Sequence, residues 1–248
     1  MRARSGLASD FVVLAVLGCG SQAPRVAQPS GSTTPAAAGL PCDNPYYPVK
    51  KGATWTYALH TSITTSTTET DTIVSIGPDS FTTKHDTGDG LPWTQAWTCT
   101  KDGLVQLLNK GGPLSAFVQG DDGTATVTTK SNTGVTVPRE FKTGDTWTQS
   151  GEVIIVGDQV NATVKFKYSF TAMAREWVTV PAGTFDRIRI DGTMQSLITF
   201  QNQTSMTTAN GIRTWLAPGE GTVRTIGWND ITVDTIDSEI DLVSYSIQ

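Results

Sequence analysis

Only two histidines, His60 and His85, occur in the 248 residues, which restricts the chemistry the chain can offer. Nucleophilic catalysis needs a base held beside its nucleophile. Each histidine lies in a Thr-rich strand or turn, so a Ser-His-Asp site is open in principle but has no support in the sequence. Paired carboxylates can hydrolyse glycosides. Glu176, Asp186, Asp191 and Glu220 are available for that, but their spacing fits solvated strand ends better than facing acids. Asp86, Asp89, Asp121 and Asp122 sit in Gly-rich turns and offer oxygens to Ca²⁺, yet none belongs to a complete calcium loop. Neither Cys42 nor Cys99 has a second ligand at zinc-site spacing, and both histidines are isolated along the chain. The reading is therefore no catalytic residue, no metal and no cofactor. The aromatic residues are the remaining lead. Trp55, Trp93, Trp97, Trp147, Trp177, Trp215 and Trp228 recur at strand starts, where they serve as core plugs or line an apolar or sugar-stacking pocket. Trp93, Trp97 and Trp215 are the candidate ligand-binding residues, and Gly90-Leu91-Pro92 sets Trp93 on a loop edge.

The elements that would position these side chains are strands. Val160, Ala162, Val164, Phe166, Tyr168, Phe170 and Ala172 alternate with Asn161, Thr163, Lys165, Lys167, Ser169 and Thr171. That period-two pattern marks a long strand with one buried and one wet face. Trp55, Tyr57 and Leu59 alternate with Thr54, Thr56 and Ala58 in the same way. Further strands are predicted near 71–76, 81–85, 93–99, 104–108, 125–129 and 152–156, and then near 177–180, 187–190, 196–201, 212–216, 222–226 and 240–247. Turn signals such as Gly77-Pro78-Asp79, Asn132-Thr133-Gly134 and Pro181-Ala182-Gly183 separate them. About a dozen short strands must curl, close or split into layers. The expected fold is all-β, a large curved antiparallel sheet or open β-barrel with little helix.

The strands also repeat. Lys50-Lys51-Gly52-Ala53-Thr54-Trp55-Thr56 returns as Lys142-Thr143-Gly144-Asp145-Thr146-Trp147-Thr148, sharing K-x-G-x-T-W-T. Val74-Ser75-Ile76 with Ser80-Phe81 then corresponds to Val178-Thr179-Val180 with Thr184-Phe185. Trp97 with Asp102-Gly103 corresponds to Trp215 with Glu220-Gly221. Three landmarks in one order predict two related halves, roughly 45–138 and 139–248, inside a β-domain spanning 45–248.

Composition narrows the partners. Charged residues are 17% of the chain, below the roughly 25% usual for soluble domains, with Thr and Ser taking the vacated surface positions. A net charge of −5 and a pI near 5.0 exclude the basic stripe that nucleic-acid binding requires. Arg2 and Arg4 precede an apolar run from Phe11 to Leu17 ending in Val16-Leu17-Gly18-Cys19. This resembles a signal peptide (1–18) closing in the lipobox of bacterial lipoproteins, which implies cleavage before Cys19 and its lipidation. Several acyl chains anchor a protein firmly, each buried methylene contributing about 0.8 kcal/mol. Position 20 is Gly rather than Asp, which favours the outer over the inner membrane. Residues 19–44 read as the lipidated Cys and a flexible Ser/Pro/Ala/Gly linker, too poor in apolar surface to offset ordering. With Cys19 lipidated, Cys42 and Cys99 remain as a pair, expected to be joined in an oxidising envelope.

Tyr46-Tyr47-Pro48, Gly52 with Trp55-Thr56-Tyr57, Val180-Pro181-Ala182-Gly183-Thr184-Phe185 and Trp215-Leu216-Ala217-Pro218-Gly219 with Gly221 and Val223 form a further pattern. Together they resemble a group of bacterial envelope lipoproteins of unknown function. The resemblance covers about residues 45 to 248 and implies a curved antiparallel sheet similar to the open barrels of periplasmic lipoprotein carriers. Leu216 replaces a common aromatic and Glu220 a common apolar residue, and no catalytic residue is implied. The expected protein is non-enzymatic and lipid-anchored in the cell envelope. Its partners are the membrane and either a hydrophobic ligand held on the curved sheet or, alternatively, an envelope protein or glycan met as a structural or adhesion module.

Overall fold

In a computed structural model of the chain, the structure describes residues 42–61, 67–88, 92–108, 126–157, 161–228 and 236–247. The predicted signal peptide, Cys19 and the linker up to 41 lie outside the described residues, as do Asp89, Gly90, Leu91, Asp121, Asp122 and Val160.

The described residues contain no helix and form one antiparallel sheet of thirteen strands. A first meander comprises β1 (Thr54–Thr61), β2 (Thr67–Ile76), β3 (Ser80–Asp86), β4 (Trp93–Cys99) and β5 (Gly103–Gln106). Two further strands follow, β6 (Thr126–Gly134) and β7 (Val137–Pro138). A second meander comprises β8 (Thr146–Val156), β9 (Asn161–Val180), β10 (Gly183–Phe200), β11 (Ser205–Ala217) and β12 (Gly221–Trp228), and β13 (Ser238–Ser246) closes the series. In space the order is β6-β8-β9-β10-β11-β12-β13-β1-β2-β3-β4-β5-β7. Two five-stranded meanders thus stand side by side with β13 between them.

The two K-x-G-x-T-W-T segments make the same backbone bonds. Gly52 N donates to Ile73 O (2.8 Å), Ile73 N to Ala53 O (3.0 Å) and Ala53 N to Lys50 O (3.1 Å). In the second copy Gly144 N donates to Ala172 O (2.8 Å), Ala172 N to Asp145 O (2.9 Å) and Asp145 N to Lys142 O (3.0 Å). Both glycines are left-handed, with φ of 81° and 91°, which explains why the motif carries Gly there. Downstream, Trp97 pairs with Gln106 and Trp215 with Arg224, each nine residues on.

The long alternation read around Phe166 is β9, with Val164, Phe166 and Tyr168 buried and Lys165 and Lys167 exposed. The strand is longer than expected: Trp177 to Val180 continue it, and the two strands predicted near 187–190 and 196–201 are one, β10. Within β10, Gly192 leaves room for its neighbours, because a Cβ there would lie 2.9 Å from the Phe170 ring and 2.7 Å from Ile212. The Asn132-Thr133-Gly134 turn signal falls instead at the end of β6.

The sheet curls until distant strands meet. Ala182, at the β9–β10 tip, donates its N–H to Leu242 O in β13 (3.0 Å), three strands away along the ladder. The interior this creates is filled by Tyr47, Trp55, Tyr57, Phe81, Trp97 and Trp215 among others, with a second cluster around Val153, Val164 and Phe166. Among the described residues, no backbone ladder joins the end strands β6 and β7 to close the sheet. Chain and side chains bridge them: Val135 and Thr136 run directly from β6 to β7, and Thr136 N donates to Leu104 O (2.8 Å). Buried Gln149 donates to Gln106 O (2.7 Å) and accepts from Thr136 Oγ1 (2.5 Å), which itself accepts from Gln106 N (2.7 Å). Cys42 is joined to Cys99, pinning the segment before β1 to the end of β4. A loop of that length stabilises by about 4 kcal/mol in the chain-entropy account.

Candidate functional site

The inner faces of β2 and β3 carry a polar cluster inside this aromatic core. Glu69 and Asp71, two apart on β2, point to the same face, and Asp71 lies directly opposite His85 on β3. A bulge at Val74 sets this pairing. The hairpin begins with Ile76 opposite Phe81 and shifts between Ile73 and Ser75, so that Ile73 meets Thr83 and Asp71 meets His85. Without that shift His85 would pair with Thr72 and Asp71 with Asp86. Bulges re-aim side chains in this way.

The cluster is closely knit and buried. His85 Nδ1 lies 2.5 Å from Asp71 Oδ1 and 3.2 Å from Glu69 Oε1, and the three residues are 2%, 0% and 9% exposed respectively. The ring of His85 stacks on Trp93 with centroids 3.8 Å apart and planes 6° from parallel. Burial pushes the Asp71 carboxyl up to about 7, partly opposed by the neighbouring His85. Burial works to lower His85, but the charge of Asp71 and hydrogen bonds to both carboxylates outweigh it and raise the imidazole to about 9. Two carboxylates taken out of water need compensating positive charge. The arrangement can hold a proton or a cation between His85 and the acids. With every member buried, it offers no surface to a substrate from solvent.

A separate feature lies at the rim. A cleft of about 660 Å³ opens between the segment before β1, the β2–β3 turn and the β11–β12 turn, lined by Pro45, Pro48, Val49, Ile76, Pro78 and Pro218 among others. Gly219 N donates to Pro45 O (2.6 Å), tying two of its walls together.

The three candidate tryptophans are not brought together. Trp97 is 1% exposed, packed on Phe81 and Tyr47 inside the core. Trp215 is buried with its indole N–H donated to Glu176. Trp93 is half-buried and is the one that joins the cluster, through His85. The carboxylates considered for hydrolysis sit in ion pairs: Asp186 with Arg175 (2.7 Å), Glu220 with Arg187 (2.6 Å) and Asp191 with Arg189 (3.0 Å) and Arg213 (3.2 Å), while Glu176 lies 3.8 Å from Arg189. Sequence reading treated His85 as isolated and missed Glu69 and Asp71. The available signal was the Glu-x-Asp alternation one hairpin away from a histidine.

A single open, curled antiparallel sheet of this kind is the YmcC-like fold. A Bacteroides fragilis protein named as a candidate exported protein with that fold superposes with a TM-score of 0.51 at 14% identity, covering 83% of this chain and 100% of its own. A candidate lipoprotein of Parabacteroides distasonis gives a TM-score of 0.53 at 14% identity, covering 83% of this chain and 99% of its own. No protein-family model matches the chain, and no curated protein matches it significantly.

Proposed function

We propose that the protein is a lipid-anchored component of the bacterial cell envelope, held by Cys19 and a linker of some two dozen residues, and that it works by binding rather than catalysis. The lipobox at Val16-Leu17-Gly18-Cys19 supports the anchor, as does the fold it shares with proteins named as exported or lipoprotein candidates. Gly at position 20 favours the outer membrane. The ligand is hydrophobic, and its place is the rim cleft, since aromatic side chains fill the concave face itself. The observation that carries this reading is the cleft: about 660 Å³ with mainly apolar walls, within the range of small-molecule sites.

Native mass spectrometry of the full chain taken from its own envelope tests it, with a fluorescent fatty acid as the solution probe. A bound apolar mass, and probe affinity weakened at least tenfold by Ile76→Glu in the cleft wall, are expected. Bare polypeptide with no probe uptake would refute the ligand.

One observation favours a second reading, a structural or adhesion module. Trp177 is 74% exposed on the outer face of the β9–β10 hairpin, opposite Asp186 and beside the Arg175–Asp186 pair. An envelope partner whose capture is lost in Trp177→Ser, yet kept in Ile76→Glu, would favour that alternative.

A further inference from the structure

The buried cluster on β2 and β3 has a charge problem that its own residues solve poorly. Asp71 is fully buried: its Oδ1 faces His85 Nδ1 at 2.5 Å, and its Oδ2 has no hydrogen-bond partner. Glu69 presents a second carboxylate to the same nitrogen, His85 Nδ1. A protonated histidine supplies one positive charge against two negative ones. Gln95, buried on the neighbouring strand β4 opposite Thr83, also keeps a side-chain oxygen without a partner. Buried polar atoms left in this state cost free energy unless something completes them.

We propose that Glu69, Asp71 and His85 form a buried binding site for a divalent transition-metal ion, with Zn²⁺ the best match to one imidazole and two carboxylates. Their ligand atoms all lie within 4.8 Å of one another. Ligands of one tetrahedral Zn²⁺ lie roughly 3.4 Å apart, so the outermost pair would draw in by about 1 Å while Asp71 parts from His85 Nδ1 to admit the ion. The ion carries the two positive charges that balance both carboxylates while the imidazole is neutral. Its binding displaces the proton shared at Nδ1 into solvent, so affinity increases with pH. Asp71 Oδ2, fully buried and without a hydrogen-bond partner, is a second observation that points to a ligand there. The stacked Trp93 fixes the imidazole plane from one side. A site this closed is structural: it cross-links β2 to β3. The inference stands apart from the rim cleft and does not depend on the ligand proposed there.

The test uses the full chain purified in detergent. Elemental analysis of the untreated protein is expected to find one equivalent of metal. After chelation, added Zn²⁺ should restore a higher melting temperature, with affinity rising between about pH 6 and 8. Asp71→Asn and Glu69→Gln should each weaken Zn²⁺ binding at least tenfold, whereas His60→Asn, at the other histidine, should leave it unchanged. Glu69→Gln is the deciding variant if Asp71→Asn fails to fold, because Glu69 lies nearest to solvent. Wild-type protein that neither binds Zn²⁺ nor changes its melting temperature, or binding that survives Glu69→Gln, would overturn the site, as would binding lost in His60→Asn.

Discussion

Gln149 in β8 donates its side-chain N–H to the backbone oxygen of Gln106 in β5 at 2.7 Å, joining the two ends of a thirteen-stranded sheet that no ladder closes. Gln149 also accepts from Thr136 Oγ1 (2.5 Å), so one buried amide satisfies partners on both sides of the seam. Gln149→Leu has similar volume but leaves the Thr136 hydroxyl without its acceptor and the Gln106 carbonyl with only the longer bond from Asn132 Nδ2 (3.4 Å). We expect a loss of about 2–3 kcal/mol in denaturant unfolding. Hydrogen exchange should quicken first in β5 and β7, the strands the amide holds.

The tryptophans divide by burial. Trp97→Ala removes a ring packed between Phe81 and Tyr47 and should cost about 3–5 kcal/mol. Trp177→Ser alters an exposed ring and should change stability by no more than about 0.5 kcal/mol. Chemical denaturation of the two variants side by side measures the contrast; equal losses would mean that Trp177 is covered in solution.

Gly52 and Gly144 occupy matching turns with positive φ and open space where a Cβ would go. Alanine at either position meets only the backbone penalty, about 1–2 kcal/mol. The two single variants should therefore lose stability to nearly the same extent. A large difference between their unfolding midpoints would show that the halves do not share this turn in solution.

In chelated protein the buried cluster sets a pH dependence. The folded value of Asp71 is raised from 3.8 to about 7 and that of His85 from 6.5 to about 9. Both shifts are upward, so the folded state holds more protons than the unfolded chain. The stability these groups contribute is complete below their unfolded values and is lost as pH rises through about 7 and then about 9. Thermal unfolding should show the melting temperature falling by roughly 5 °C or more over that window. Asp71→Asn, uncharged throughout, should flatten the fall. Glu69 is the other acid facing His85, while Lys84 and Asp86 pair with each other outside.

Much of the architecture was legible because it follows the rule that strands alternate apolar and polar. Val164, Phe166 and Tyr168 could be placed on an inner face from their spacing, and the twin Lys-x-Gly-x-Thr-Trp-Thr segments do form matching turns. What stayed hidden breaks that rule. Glu69, Asp71, His85, Gln106 and Gln149 are polar residues facing inward, and alternation assigns such residues to solvent. The register of β2 against β3 was also out of reach, since the unpaired residue Val74 carries no turn signal. Length misled at β9 and β10: Trp177 to Val180 looked like a new strand because Ala174 and Arg175, both exposed, break the alternation.

The position of β13 has a consequence for how the molecule is made. This strand lies between β12 and β1, so β1 gains its second neighbour only when the last of the thirteen described strands has been delivered. Until then β1 and β12 each present a raw, pairing-competent border, the kind that recruits other chains. Assembly therefore cannot proceed progressively from the amino end, and a chain cut before Ser238 would yield two sticky half-sheets instead of a smaller version of the same protein.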